Sequence, residues 1–487
     1  MILAVMIGVL LIGGVLCWLS AQWSAAAPKW IALVASLLGL GLSVYCWVHF
    51  SGPELRGPWF IDFRASWIPS FGIGFHLAMD GLSLVLLLLT FFLGVLAVLC
   101  SWKEIRERTG FFFFCLLWTL AGISGVFVAM DLFLFYFFWE VMLVPMYFLI
   151  ALWGDTRRRY AAYKFFIFTQ AGGLLMLLSI LALYFIHGQR TGSYTFDYFS
   201  LLNTAVDPSA SKWIVAGFLI AFAIKLPVVP LHNWLPDAHS EAPTAGSLIL
   251  AGLLLKTGAY GIIRIVLPLF PGDSAAIAHW AIPLGVAGIV YGALLAFAQT
   301  DLKRLIAYTS VSHMGFVLLG IFSFREIAMQ GTVMQILTHG IGTGALFVMA
   351  GMLKERLHTR DLGLMGGLWT ALPSMGGVFM LFTMASLGLP MLGNFIAEFL
   401  ILLGTFLVSP VLTVLASGGL VLSALYSLRM MQKVFLGPVR GGTAVQDLSG
   451  REWLLLATLS VSIVALGLFP QPVINLVRPV VRLLVSN

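Results

Sequence analysis

The sequence predicts an all-α, polytopic membrane protein of about fourteen transmembrane helices, arranged as two inverted repeats that contain broken helices. Three observations predict it. Of the 487 residues 60% are hydrophobic and 10% charged, whereas soluble globular chains carry about a quarter charged residues. Mean hydropathy is +1.01. Apolar runs of roughly 20 residues, the length that crosses a hydrocarbon core, recur throughout, joined by connections too short for a soluble domain. Residues 1–487 therefore read as a single membrane domain.

The runs fall at 1–20, 30–50, 76–100, 111–130, 132–153, 163–187, 213–234, 243–267, 278–299, 304–324, 331–353, 371–406, 411–435 and 453–470. The first ends near Ala25-Ala26-Ala27-Pro28, which resembles a leader cleavage site, but the positively charged start of a leader is missing, so it reads as the first helix. Cys17, Cys46, Cys100 and Cys115 stand singly in apolar runs, without the spacing of a cluster, zinc or redox pair. No Walker loop appears, and no Gly-x-Gly-x-x-Gly follows a strand. No cofactor-binding or metal-ligating residue is expected in this chain.

Loop charge alternates. Loops after odd-numbered runs hold Lys103, Arg106 and Arg108, then Arg157, Arg158 and Arg159, then Lys303 and Arg304, then Lys354, Arg356 and Arg360, and finally Arg440 and Arg451. Loops after even-numbered runs hold scattered charges such as Arg56, Arg190 and Arg325. The positive-inside rule puts the first set in the cytoplasm and both termini outside. The net charge of +7 then reflects topology and contact with anionic lipid rather than nucleic acid.

A few charges sit where charge is expensive. A central Lys or Asp costs roughly 2.5 to 3.5 kcal/mol to insert, and such residues face cavities or partners rather than lipid. Glu140 follows Asp131 by roughly 13 Å along a helix at 1.5 Å per residue, too deep for its short side chain to reach the interface. Lys225 is followed at once by Pro227 and Pro230, which break the helix near its middle, and broken helices at membrane depth line wet cavities. Lys256 lies mid-run in Leu253-Leu-Leu-Lys256-Thr-Gly, where its charge must depend on its neighbours. The plainer readings are a neutral, packed acid for Glu140 and snorkelling for the two lysines.

His313 and His339 lie within the tenth and eleventh runs, and a histidine exchanges a proton near neutral pH. Each could equally be a hydrogen bonder in helix packing, and Gly340-Ile-Gly-Thr-Gly344 is itself a small-residue packing stretch. Glu398 follows Gly388, Pro390 and Gly393, which interrupt a second long run. Two interrupted helices in corresponding positions point to repeats near 111–267 and 278–435, with peripheral helices at 1–100 and 453–487. One repeat carries Lys225 at its break, the other Glu398. Between the broken seventh run and the eighth, a loop over 231–247 holds His232, Asp237, His239 and Glu241. It reads as a proton entrance or as a Pro-punctuated connection, and less readily as a metal site.

The segment from Lys225 through Leu-Pro-Val-Val-Pro-Leu-His-Asn-Trp-Leu-Pro-Asp-Ala-His-Ser-Glu-Ala-Pro-Thr-Ala-Gly to Ser247, with Ala251-Gly-Leu-Leu-Leu-Lys256-Thr-Gly-Ala-Tyr-Gly261, resembles the signature of antiporter-like subunits. These subunits occur in respiratory complex I, the proton-pumping NADH:quinone oxidoreductase, and in Mrp antiporters. The resemblance extends to Met130-Asp131, Trp139-Glu140, Asp301-Leu-Lys-Arg through His313, and Gly388-Leu-Pro390 with Glu398, covering most of 111–435. An Mrp-type subunit would be expected to read Ala-Tyr-Glu-Ala-Ala-Pro-Thr-Pro-Val-Ser where this chain reads Ala238-His-Ser-Glu-Ala-Pro-Thr-Ala-Gly-Ser247. The acidic Glu398, where other complex I paralogues are expected to carry lysine, points to one branch.

The resemblance implies a subunit that translocates protons while redox chemistry, with NADH, FMN, iron–sulfur clusters and quinone, takes place in partner subunits. It implies Glu140 and Lys225 as an interacting pair, Lys256 as central relay, His313 and His339 as connecting groups and Glu398 as exit-side donor. Its expected partners are other membrane subunits of the same complex, related antiporter-like ones included, together with lipid and protons. Its expected place is a bacterial inner membrane. The other readings are a cation/proton antiporter subunit of Mrp type or a membrane subunit of an energy-converting hydrogenase. A solute transporter or an inert membrane scaffold would be different classes of answer.

Overall fold

The computed structural model describes residues 1–50, 58–438 and 445–486; Arg56 and Arg440 of the loop-charge pattern lie outside them. Hydrocarbon-length runs with few breakers form helices because each backbone N–H and C=O must be satisfied within its own segment. The helices are α1 (Ile2–Ser20), α2 (Ala27–Phe50), α3 (Gly81–Glu104), α4 (Thr109–Val126), α5 (Leu132–Trp153) and α6 (Arg158–Thr191). A single turn, α7 (Tyr198–Leu201), precedes α8 (Pro208–Lys225) and α9 (Trp234–Glu241). Then come α10 (Thr244–Leu269), α11 (Pro271–Ala298), α12 (Leu302–Phe322) and α13 (Glu326–Leu357). The chain continues through α14 (Pro373–Ser386), α15 (Gly393–Phe406), α16 (Pro410–Val434), α17 (Gly450–Leu468) and α18 (Gln471–Ser486).

Thirteen of these are long and apolar enough to cross a membrane. The half-helices α14 and α15 share one further crossing, which gives the about fourteen expected from hydropathy. Both interruptions fall where proline and glycine predicted them. The first span breaks between Lys225 and Trp234, and Trp234 Nε1 donates to Ile224 O at 2.9 Å, tying the second half to the end of the first. The second breaks over 387–392, where Gly388 takes φ 79°, a left-handed conformation that disfavours any side chain. Glu398 is not at this break, as the sequence suggested, but more than a turn into α15.

Two elements depart from the hydropathy reading. Residues 76–80 are strand rather than helix: β1 (Trp59–Ile68) pairs antiparallel with β2 (Ile73–Asp80), with Phe63 opposite Leu77. Asp80 ends the strand and caps α3 by accepting from Ser83 N at 2.9 Å, so the third span begins five residues later than the apolar run does. The amphipathic α18, beyond the last apolar run, was not marked out by hydrophobicity because its apolar residues lie on one face.

Ion pairs show that the connections alternate between two faces. Asp155, Glu241, Asp301, Lys354 and Arg360, from the connections after the fifth, seventh, ninth and eleventh spans, meet in one network. On the other face His76 of β2 bonds Asp197, which follows the sixth span, at 2.6 Å, and Asp62 of β1 at 3.0 Å. The two central helices α10 and α13 are buried along their whole spanning windows, while α1, α2, α16 and α17 are largely outward-facing. The ionisable residues singled out in the sequence sit mainly on the buried helices and beside the breaks.

Candidate functional site

α10 is irregular where the chemistry lies. Over 250–254 and 262–266 its backbone bonds run one residue longer than in an α-helix, a widening that frees carbonyls and recurs at functional sites. Lys256, just past the first widening, donates Nζ to Ala251 O at 2.6 Å, five residues back. The same nitrogen lies 2.6 Å from His339 Nδ1 on α13. Neither side chain is exposed at all, so protein groups rather than lipid surround both.

From His339 the arrangement runs on through α12 to α15. The His339 and His313 rings stand 5.6 Å apart, edge to face, and His339 Nε2 is buried with no hydrogen-bond partner. His313 Nδ1 lies 3.1 Å from Glu398 Oε1, and its Nε2 faces Ser386 Oγ and Tyr426 Oη at 3.5 Å each. The Glu398 carboxylate sits over Gly388, where a Cβ would lie 2.9 Å from Oε2. Lys256, His339, His313 and Glu398 therefore form one contiguous file of titratable groups, buried in protein and turned away from lipid.

The other predicted pair is built differently. Lys225 ends α8 with its Nζ fully buried and without a hydrogen-bond partner, held between the faces of Trp139 at 5.5 Å and Phe165 at 5.3 Å. Cation–π contact stabilises an ammonium by about 0.5 to 2 kcal/mol, more when desolvated, without fixing its direction. Glu140 on α5 lies within electrostatic reach of Lys225, beside Tyr136 and Gln170, and its Oε1 has no partner. Gly173 of α6 makes room for it: a Cβ there would lie 2.7 Å from Oε1. Glu140 is only partly buried, on a flank where α5 and α6 face outward.

The 231–247 segment is not the open loop its composition suggested. It contains the buried helix α9, because Trp234, Leu235 and Ala238 are packed on the core while its acids are held by cations from neighbouring elements. Asp237 accepts from Lys164 at 2.7 Å and from Arg304 at 2.9 Å. Glu241 takes Arg157 N at 2.8 Å and Arg360 at 3.3 Å. His239 is fully buried, stacked on Phe347 at 4.6 Å, with both ring nitrogens unpartnered; His232 packs against Tyr291 instead. Among the described residues no group of His, Cys, Asp and Glu converges for a metal.

Sequence reading missed the uncharged groups of the file. Gln335, one helical turn before His339, places its amide nitrogen 3.2 Å from His313 Nδ1, and Ser386 and Tyr426 flank the same ring. The four-residue spacing from Gln335 to His339 on one helix face was the available signal. Nothing in local sequence pairs Ser386 or Tyr426 with His313, since each meets it through tertiary packing alone.

A family model described as NADH:quinone oxidoreductase/Mrp antiporter, TM matches residues 129–424. NADH-quinone oxidoreductase subunit M of Pseudomonas aeruginosa is 53% identical over 487 residues, 98% of this chain and 96% of that one. The Escherichia coli protein of the same name is also 53% identical, over 95% of this chain and 94% of its own. Among solved structures, a chain of respiratory complex I from Thermus thermophilus superposes with TM-score 0.89 and 31% identity, over 100% of this chain and 98% of that one. A chain of the Mrp complex from a Dietzia species, at 22% identity, covers 99% of this chain and 97% of its own with TM-score 0.88, a likeness of fold. The protein belongs to the NADH:quinone oxidoreductase/Mrp antiporter family of membrane subunits.

Proposed function

We propose that this chain is the proton-translocating membrane subunit of an NADH:quinone oxidoreductase and moves protons through Glu140, Lys225, Lys256, His339, His313 and Glu398. The observation that carries the reading is the buried file of Lys256, His339, His313 and Glu398, in hydrogen-bond contact at both ends and in ring contact at its middle. The identity to subunit M proteins over nearly the whole chain favours this over an Mrp-type or hydrogenase-type subunit. Partner subunits would hold the NADH, FMN, iron–sulfur clusters and quinone, and a neighbouring membrane subunit would cover the partly exposed flank at Glu140. The subunit would lie in a bacterial inner membrane, where the positive-inside rule favours both termini on the outer side.

The repeats we assign, near 111–267 and 278–435, are supported by a recurring cap. Asp131 begins α5 and bridges Asp197; Asp301 begins α12 and bridges Asp361. Loop parity puts the two bridges on opposite faces, as inverted repeats require.

The chemistry begins with proximity at the first pair. With the Glu140 carboxylate near, Lys225 keeps its proton; with it withdrawn, a buried ammonium that has only aromatic neighbours gives the proton up toward Lys256. The two titrate as a unit. Lys256 then passes a proton along its existing bond to His339 Nδ1: an N–H bond breaks on lysine and one forms on imidazole. Its bond to Ala251 O holds the nitrogen in line throughout. His339 hands on to His313, and His313 to the Glu398 carboxylate. Moving a charge against the membrane potential costs about 2.3 kcal/mol per 100 mV, the equivalent of about two pK units at one group, which a moving carboxylate can supply.

The test is the proton-to-electron ratio of the assembled complex in vesicles. Glu140→Gln and Lys256→Ala should each abolish coupled pumping. Near-normal ratios in both would overturn the assignment.

A further inference from the structure

We propose that Gln335 is a positioning residue that makes the last transfer, from His313 to Glu398, run in one direction. The inference rests on the proton path set out above. His313 Nδ1 has two neighbours at hydrogen-bond distance, Glu398 Oε1 at 3.1 Å and the Gln335 amide nitrogen at 3.2 Å. They make opposite demands. A ring nitrogen donates when it carries hydrogen and accepts when it does not; an amide –NH2 only donates, and an ionised carboxylate only accepts. No single protonation state of His313 serves both contacts.

The two contacts therefore belong to two moments of the transfer. Before it, Nδ1 carries the proton and donates it to the Glu398 carboxylate, and the Gln335 amide nitrogen is idle. The transfer breaks the Nδ1–H bond and forms an O–H bond on Glu398; a cationic ring and an anionic acid become a neutral pair. The lone pair left on Nδ1 is then taken by the Gln335 N–H, while the remaining ring hydrogen stays on Nε2, facing Ser386 Oγ and Tyr426 Oη. The proton on Glu398 now finds its former site occupied, and return requires the amide bond to break first.

The placement of Gln335 suits this purpose and no other bond. It is fully buried, so water does not compete for the amide. Its Oε1 has no hydrogen-bond partner, an arrangement a buried amide avoids unless its nitrogen is held elsewhere. Its position one turn from His339 sets the amide beside the point where the file passes from α13 to α12.

The experiment uses the assembled complex in sealed vesicles with Gln335→Met, Gln335→Glu and Glu398→Gln. It reads pumping at small and at large opposing gradients, proton back-flow when NADH is spent, and the His313 tautomer by nitrogen-15 NMR. Gln335→Met should leak backward about two- to tenfold faster, the population shift that one net hydrogen bond commands, and its net pumping should fall further below wild type as the opposing gradient grows. The His313 hydrogen should shift from Nε2 toward Nδ1. If the methionine variant does not assemble, Gln335→Glu, which keeps the shape but replaces the donor, carries the same expectation. Wild-type leak with a wild-type tautomer in the variant that assembles would overturn the proposal. Normal pumping by Glu398→Gln would instead overturn the path itself, whatever Gln335 does.

Discussion

Lys225 and Lys256 are both wholly buried lysines on facing helices, yet one has no hydrogen-bond partner and the other has two. Lys225 is held by ring faces, which attract a charge without aiming it, beside a carboxylate whose Oε1 is also unbonded. Lys256 is aimed at both ends, by a carbonyl freed in a widened helix and by a histidine nitrogen. The difference separates two tasks. A group that must respond to a moving neighbour is kept loosely bound, and a group that must conduct is fixed by hydrogen bonds at the head of the file.

Breaking the file should have the largest effect. His339→Leu removes the group between Lys256 and His313 and should lower pumping on the order of a hundredfold, the scale of a positioned proton-transfer group. His232→Ala, outside the file, should leave pumping within about twofold. Equal losses would erase the distinction between path and packing; vesicle acidification at matched electron flux reads both.

Shifting the loose pair without removing either charge should cost less and act on coupling rather than conduction. Gly173→Ala puts a methyl 2.7 Å from Glu140 Oε1 and should displace the carboxylate, lowering pumping about tenfold, the worth of roughly 1.4 kcal/mol, with the fold intact. Gly418→Ala, where a methyl meets open space, is the control. Trp139→Phe should be nearly silent, since the indole nitrogen makes no bond and a ring face remains; Trp139→Leu should lose about 0.5 to 2 kcal/mol of cation stabilisation. Proton-to-electron ratios across this series grade how much of the response depends on the aromatic cradle.

The smallest effect lies outside the membrane. Burial opposes the charge of Asp197, but hydrogen bonds from His76 and Ser200 outweigh it and hold the carboxyl below the ordinary range. A carboxyl so held adds stability above its unfolded value of about 3.9 and loses it as pH falls through the lower folded value. The hairpin over 59–80 should therefore loosen only in strong acid. Hydrogen exchange of its amides below and above that range checks this, and loosening already near neutral pH would contradict it.

Most of the fold was legible because hydrocarbon length, loop charge and proline each act locally. The breaks after Lys225 and after Ser386 follow from Pro227, Pro230, Gly388 and Pro390, and buried charge picked out Lys256 and Glu398 without any contact being known. The hairpin was hidden because Phe75, His76, Leu77, Ala78 and Met79 continue an apolar run into α3, and only the capping Asp80 separates them. α9 was hidden because its polar residues look like those of a loop until Lys164, Arg304 and Arg360 arrive from other elements to pair its acids. Gln335 and Tyr426 carry no charge and so left no anomaly in hydropathy; their place beside His313 is made by packing alone.

The most direct measurement is a double-substitution cycle on the Lys256–His339 contact, using Lys256→Arg and His339→Gln so that measurable pumping survives. If the two conduct as one unit, the double variant should lose no more than the worse single variant, because effects within one chain of transfers do not add. Losses that simply multiply would show two independent residues and contradict the continuous file.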